Sequence, residues 1–388
     1  MPDAEQEVPA LSRSPVTRAG LSLLVLGVMT TPAAHAAVHM DRLRVPAGFH
    51  ISLVSDQVPG AREMARGAHG TLFVGSMGAG RVYALSGLDG PGPVRVRTIA
   101  HGLDLPVGVA FHDRDLYVSD MRRIVVLRDI ENHLDTPPAP QVVADDLPYR
   151  PGDHSWKFIA FGPDNRLYVP IGAPCNICDV GHDFGRIISM TPDGGDRRDV
   201  AFGIRNTVGF TWQPGTGTGT LWFTDNGRDN MGDDVPSDEL NRLDRPGQSF
   251  GYPYCHQGNV PDPEFGSQHA CSEFTPPALL LGAHVAALGL RFYEGSQFPA
   301  TYHNSLLIAE HGSWNRSTLA GYQVVSVGFG PDNHPRLPTT LVSGFRQGQQ
   351  AWGRPVDVQP MPDGSVLISD DLSGAIYRLT YGPTPAAQ

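Results

Sequence analysis

The stretch Val366-Leu367-Ile368-Ser369-Asp370-Asp371-Leu372-Ser373-Gly374-Ala375-Ile376-Tyr377 holds a compact phrase: an apolar triplet, a small and acidic corner, a glycine turn and a second apolar run. The triplet returns as Leu72-Phe73-Val74, Leu116-Tyr117-Val118, Leu167-Tyr168-Val169, Leu221-Trp222-Phe223 and Leu306-Leu307-Ile308. Corners follow at Ser119-Asp120, Thr224-Asp225 and Ala309-Glu310, and second runs at Arg81-Val82-Tyr83 and Arg186-Ile187-Ile188. Short strands rich in aromatic and β-branched residues, set between Gly/Pro/Asp turns and repeating at roughly 45–80 residues, are the mark of β-propeller blades. The reading is an all-β chain, a six-bladed β-propeller of four-stranded antiparallel blades.

The repeats fill the chain from about Arg62 onward, so its 388 residues are read as one array over 37–388 behind a leader at 1–36. Arg13 and Arg18 precede the apolar Leu21 to Val28, and Ala34-His35-Ala36 is a small-x-small cleavage site, the pattern of a secretory leader. The location expected is periplasmic or secreted, with no membrane span in the mature chain. Cys175 and Cys178, and Cys255 and Cys271, suit two local disulfides in an oxidising compartment, with the other pairings open. Cys178 is followed by Asp179 and not by His, so the signal for covalent haem attachment is absent.

Forty-five glycines, 35 prolines and only 18% charged residues fit many tight turns. A formal charge of −11 argues against a nucleic-acid surface, which needs clustered cations. Lys157 is the sole lysine, so any lysine-nucleophile scheme rests on it. No glycine-rich nucleotide fingerprint occurs on a strand–helix unit.

In a propeller the first strand of each blade lines the central channel, so residues just ahead of that strand meet at one channel mouth. Asp153-His154 stands before Phe158-Ile159-Ala160-Phe161, Arg205-Asn206 before Val208-Gly209-Phe210, and Arg354 before Val356-Asp357-Val358. The matching places elsewhere hold Arg62-Glu63, Pro106 and Ala287, which predicts one polar and one blander side. A buried imidazole near arginines favours its neutral, basic form, with Asp153 placed to orient it, and two arginines and an amide suit an anionic, oxygen-rich ligand. Against this, a His beside an Asp in a loop is commonly only hydrogen-bonded, and Arg205 and Arg354 could pair with Asp225 or Asp370. Asp120, Asp225, Glu310 and Asp370 are read as turn-capping residues. The acidic run from Asp225 to Asp234 reads equally as a Ca²⁺ loop or a solvated one, and Trp314 as a stacking ring or a packed one.

Asp153-His154 with Phe161-Gly162-Pro163-Asp164, Ile204-Arg205-Asn206, Asp225-Asn226-Gly227-Arg228 with Asp238-Glu239-Leu240-Asn241, Phe250-Gly251-Tyr252-Pro253, and Arg354 with Asp357-Val358 form an ordered set. That set resembles the soluble quinoprotein glucose/L-sorbosone dehydrogenase family. Pro174-Cys175-Asn176-Ile177-Cys178 and His311-Gly312-Ser313-Trp314-Asn315-Arg316 look most like its sorbosone-dehydrogenase branch. The resemblance implies pyrroloquinoline quinone (PQQ) with Ca²⁺ at the channel mouth and oxidation of an aldose or sugar aldehyde, electrons passing to an unknown acceptor other than NAD or oxygen. It implies that His154 takes the hydroxyl proton, that Arg205 polarises the quinone oxygen, that Asn206 and Arg354 bind the cofactor, and that the carbonyls of Gly227 and Arg228 ligate Ca²⁺. Val356 stands where the family's glucose dehydrogenases carry a second arginine, and their cofactor lysine has no counterpart, a role Arg316 could take. The alternatives are a calcium-dependent lactonase-type hydrolase, which needs carboxylates on the channel axis, and a non-catalytic propeller binding a glycan or protein.

Overall fold

The computed structural model describes residues 36–383 apart from 91, 153 and 218. The expected leader, all but its last residue, and Asp153 lie outside the described residues. Among the described residues no helix is long and apolar enough to cross a membrane.

Six four-stranded blades are present among the described residues; in four of them the strands are consecutive in sequence, in the fourth a segment with three short strands precedes the last strand, and the sixth joins both ends of the chain. The first runs Ala61–Arg66, Leu72–Ser76, Arg81–Ser86, Arg95–His101, and the second Val109–His112, Asp115–Asp120, Arg123–Leu127, Gln141–Ala144. The third runs Ala160–Phe161, Leu167–Ile171, Arg186–Met190, Arg198–Phe202, with Gln248–Ser249 added in parallel at its edge. The fourth runs Phe210–Gln213, Thr220–Asp225, Ser237–Leu243, Leu279–Ala283, and the fifth Ala287–Phe292, Leu306–Glu310, Gln323–Val327, Thr339–Val342. The sixth takes Pro355–Pro360, Val366–Asp370 and Ala375–Tyr381 from the end of the chain and its outermost strand, Phe49–Ser55, from the beginning. That last pairing, from Phe49 opposite Tyr381 to Ser55 opposite Ile376, joins the two ends of the chain in one blade and so closes the ring.

Each triplet is the second strand of its blade. Leu72–Ser76, Leu306–Glu310 and Val366–Asp370 are buried along their whole length. Neighbouring blades cover both faces, so these strands are continuous apolar runs instead of alternating ones. Alternation or exposure appears only toward the rim, as in Gln141–Ala144 and Thr339–Val342.

Polar residues at the corners stitch the blades together. The Ser119 hydroxyl donates to the Lys157 carbonyl of the next blade at 2.9 Å, Thr224 to Leu288 at 2.8 Å, and Ser369 to Arg62 at 2.7 Å. On the axis, Glu63 accepts the N–H groups of Val109 and Ile159, and Asp357 those of Met64 and Val358. The innermost strands of the first and sixth blades carry bulges ending at Met64 and Val358, which free the two N–H groups that Asp357 takes up.

Candidate functional site

The acidic corner positions the site residues. Asp225 accepts the backbone N–H groups of Arg205 (3.0 Å) and Asn206 (2.6 Å), and Asp370 accepts that of Arg354 (2.9 Å). The corner carboxylate thus reaches back within its own blade and fixes the residue that precedes the channel strand. Asp120 does the same for the N–H of Asp104, whereas Glu310 takes the Gln323 amide. The guanidinium groups of Arg205 and Arg354 do not pair with Asp225 or Asp370; only the backbones do.

One cavity of about 760 Å³ opens at this mouth, and His154, Arg205, Asn206, Arg354, Trp314 and Gly227 all line it. Arg228 and Arg316 do not. The Arg228 guanidinium turns to Asp262 (2.5 Å) and Glu264 (3.0 Å), and that of Arg316 to Asp234 (2.9 Å) and the Ala283 carbonyl (3.2 Å). Lys157 is buried, donates to the Ser155 carbonyl and is absent from the lining, so it offers the cavity no amine nucleophile.

His154 is buried, and its Nδ1 lies 2.7 Å from the Ala173 carbonyl. A carbonyl can only accept, so Nδ1 carries the hydrogen and Nε2 keeps its lone pair. Burial first, and then the charge of Arg205, push the imidazole down to about 3, so it is neutral at ordinary pH. Its template is Gly172-Ala173: the Ala173 N–H donates to the Arg205 carbonyl at 2.8 Å, so one residue holds both His154 and Arg205. A Cβ on Gly172 would lie 2.7 Å from that of His154, which is why a glycine stands there.

Arg205 is firmly held. Its guanidinium donates to the Asn176 carbonyl (2.9 Å), the Asn176 side chain (2.8 Å), the Asn226 carbonyl (3.2 Å) and Asp229 (2.9 Å). Arg354 is the opposite case. Among the described residues its guanidinium has no carboxylate or hydrogen-bond acceptor, its Nε is buried without a partner, and it lies 5.8 Å over the Tyr322 ring. Trp156 Nε1 and Arg62 Nε are likewise buried and unpartnered, and both residues line the cavity. Trp314 is 69% exposed at the rim, and Asn315 beside it donates to Asp229 at 2.9 Å. Below, Val208, Leu288 and Val356 form a small apolar cluster, so the place of the family's second arginine is a hydrophobic floor.

The side expected to be bland is not. Arg62, His311 and Asp371 line it, with Asp371 held by Arg62 at 2.8 Å and by His311 Nε2 at 3.0 Å. Burial alone would raise the Asp371 pKa, but His311 and Arg62 together hold it well below the usual carboxylate range. One signal was present: Arg62 is the second residue of the first blade's channel strand, within two places of the position that Arg354 holds just ahead of the sixth blade's. Asn176, within the Cys175–Cys178 loop, also lines the cavity, and Cys175–Cys178 and Cys255–Cys271 are the two disulfides.

The donors facing the cavity fit an anionic, planar, oxygen-rich group such as PQQ: unpartnered Arg354, two further N–H donors, the Asn206 amide and aromatic rings. For Ca²⁺ the hard donors at hand are the Gly227 carbonyl and the flanking loop. Among the described residues no group of three or more His, Cys, Asp or Glu side chains could hold a metal. The axial carboxylates a hydrolase would use, Glu63 and Asp357, lie outside the lining and are committed to strand N–H groups.

Fold and cavity together define a six-bladed propeller with one deep polar pocket at the channel mouth. Residues 191–382 match the family model TrAA12-like. An uncharacterized protein of Borreliella burgdorferi is 33% identical over 353 residues, spanning 87% of this chain and 91% of the relative. The chain belongs to the TrAA12-like family. Among solved structures it is similar to the holo form of the pyranose dehydrogenase PQQ domain from Coprinopsis cinerea (TM-score 0.73, 20% identity, 87% of this chain and 97% of that one). It is also similar to the calcium structure of the Trichoderma reesei carbohydrate-active enzyme of family AA12 (0.71, 21%, 92% and 100%) and to the PQQ-bound aldose sugar dehydrogenase from Streptomyces coelicolor (0.63, 20%, 87% and 99%). At these identities the likeness establishes the fold.

Proposed function

We propose that this protein is a PQQ-dependent sugar dehydrogenase that oxidises an aldose or sugar aldehyde, of glucose or sorbosone type, to the lactone or acid. The observation that carries the reading is a proton-free His154 Nε2 in the same cavity as the unpartnered Arg354 guanidinium. PQQ, when bound, supplies the two-electron acceptor at its quinone, and Ca²⁺ beside it adds Lewis acidity. Arg354 and Arg62 neutralise carboxylates, Asn206 donates an amide N–H, and Trp314 supplies a face for stacking at the open rim. His154 Nε2 accepts the proton of the hydroxyl that is oxidised, while its Nδ1–H stays on the Ala173 carbonyl and fixes the ring. Arg205, anchored on four bonds, keeps positive charge near the developing anion without moving. The carbonyls of Gly227, in the cavity lining, and of the adjacent Arg228 would hold Ca²⁺. The leader-like N-terminus and both disulfides support a periplasmic or secreted setting.

The test is reconstitution. Mature protein with PQQ and Ca²⁺ should reduce an artificial dye with an aldose or sorbosone, and His154→Ala should lower kcat by about 10²–10⁴-fold while near-ultraviolet circular dichroism stays native. Turnover unchanged by that substitution removes His154 as the base.

A further inference from the structure

The Cys175–Cys178 loop leaves the strand Leu167–Ile171 and touches the cavity through Asn176 alone of its four residues. Both faces of that asparagine are engaged. Its Oδ1 accepts the Arg205 guanidinium (2.8 Å) and the backbone N–H of Asp229 (2.7 Å), its Nδ2 donates to the Asp229 carbonyl (3.1 Å), and its own carbonyl accepts Arg205 Nε (2.9 Å). Two of the four anchors of Arg205 therefore lie on Asn176. So do both backbone groups of Asp229, the carboxylate that pairs with Arg205 and takes the Asn315 amide.

Asn176 sits in irregular chain, not in a sheet, so something else must fix it. Tyr252, buried against the loop, accepts the Cys178 N–H (3.2 Å) and donates to the Asn176 carbonyl (3.3 Å). The disulfide closes the remaining freedom by tying the residues on either side of the Asn176-Ile177 pair. A short crosslink removes conformations in which the asparagine points away, and without it Asn176 must be ordered against the entropy of a free loop. Cys175 and Cys178 are both half-buried, whereas in the second disulfide Cys271 is half-buried and Cys255 is 3% exposed, so an external thiol can attack either sulfur of the first bridge but only one of the second.

We propose that the Cys175–Cys178 disulfide is a redox-sensitive clamp on the cavity, acting through Asn176 as the positioning residue for Arg205 and the Asp229 loop. In the opening step an external dithiol supplies two electrons and two protons. The Cys175–Cys178 S–S bond breaks, both cysteines become thiols, and the dithiol leaves as its own disulfide. The released asparagine lets go of Arg205 and of the Asp229 backbone. The effect on cofactor binding rests on the reading above; the effect on the loop does not.

Two readouts separate them. Full-length mature protein is treated with dithiothreitol, alkylated, and checked by mass spectrometry for opening at Cys175 and Cys178 with Cys255–Cys271 intact. Cys175→Ser with Cys178→Ser serves as the permanently open form. Amide hydrogen exchange across residues 225–231 is compared with Asn176→Ala, in which the disulfide remains. Exchange of the Asp229 amide should rise about tenfold or more in all three forms, and PQQ affinity, read by tryptophan fluorescence, should fall about tenfold. Unchanged exchange in the open forms overturns the clamp, as does loosening in Asn176→Ala but not on reduction. A native protein that protects Asp229 yet binds no PQQ overturns the functional reading and leaves the clamp standing.

Discussion

Gly172→Ala tests the placement of His154 without touching a chemical group. The added methyl would lie 2.7 Å from the His154 Cβ, 2.8 Å from its carbonyl oxygen and 3.4 Å from that of Arg205. Ordinary contact begins at 3.4 Å, so His154 must retreat by 3.4 − 2.7 = 0.7 Å or the end of the Leu167–Ile171 strand must shift as much. Added to the 2.7 Å bond between Nδ1 and the Ala173 carbonyl, such a move stretches it to the edge of hydrogen bonding. Gly172 has no left-handed backbone to protect, so the cost is steric: about 1–3 kcal/mol of stability from overpacking. A catalytic group displaced by nearly 1 Å costs about 10²-fold in rate. Dye-linked kcat/KM should therefore fall about a hundredfold, while PQQ affinity, governed by Arg354 and Arg62 elsewhere in the cavity, changes by less than about threefold. A variant with kcat/KM within a factor of about three of native and undisturbed folding would refute the idea that this glycine sets the position of the base.

Because burial and Arg205 hold His154 down to about 3, kcat/KM should show no protonation step near the ordinary 6.5 between pH 5 and 8; a midpoint there, lost in His154→Ala, contradicts the assignment. The same shift makes the native chain bind fewer protons than the unfolded one between about pH 3 and 6.5, so this group's stabilising contribution is complete above 6.5 and declines as pH falls; denaturation in urea at successive pH values, native against His154→Ala, checks the sign. Arg354→Ala removes a guanidinium whose one described contact is the Tyr322 ring 5.8 Å away, with no ion pair or hydrogen bond among the described residues, so the thermal midpoint should stay within about 2 °C while PQQ binding weakens about 10- to 100-fold; equal affinity on titration counts against the cofactor pose. Phe49→Ala strips the closing strand of a ring packed 4.8 Å from Phe298 and 5.0 Å from Tyr381, and should lower stability by about 3–5 kcal/mol in urea; a loss under about 1 kcal/mol would mean the ring does not depend on this seam.

The blades were legible because a strand buried on both faces must be apolar throughout, which prints a continuous triplet into the sequence at each turn of the ring. Phe49–Ser55 was not, because its pairing with Ala375–Tyr381 joins the two ends of the chain and carries no local turn signal. The same contrast runs through the site. His154, Arg205, Asn206 and Arg354 could be read together because each precedes a channel strand, and the corner carboxylates that fix the backbones of the last three belong to the same repeat. Periodicity places a backbone, however, and does not aim a long side chain. Arg228 follows the same corner yet turns to Asp262 and Glu264, supplied by the irregular segment after Gly251, and Arg316 is drawn to Asp234 in the acidic loop. Conversely, Arg62, His311 and Asp371 come from three blades and meet because one carboxylate takes both a guanidinium and an imidazole at the channel mouth. That carboxylate pairs with Arg62, while Arg354 has no counter-charge among the described residues, so the uncompensated positive charge lies at the sixth blade, opposite His154 on the third. A ligand held by its acid groups at Arg354 would have to extend across the channel to reach His154, and a rigid molecule would do so at less cost in conformational entropy than a flexible one.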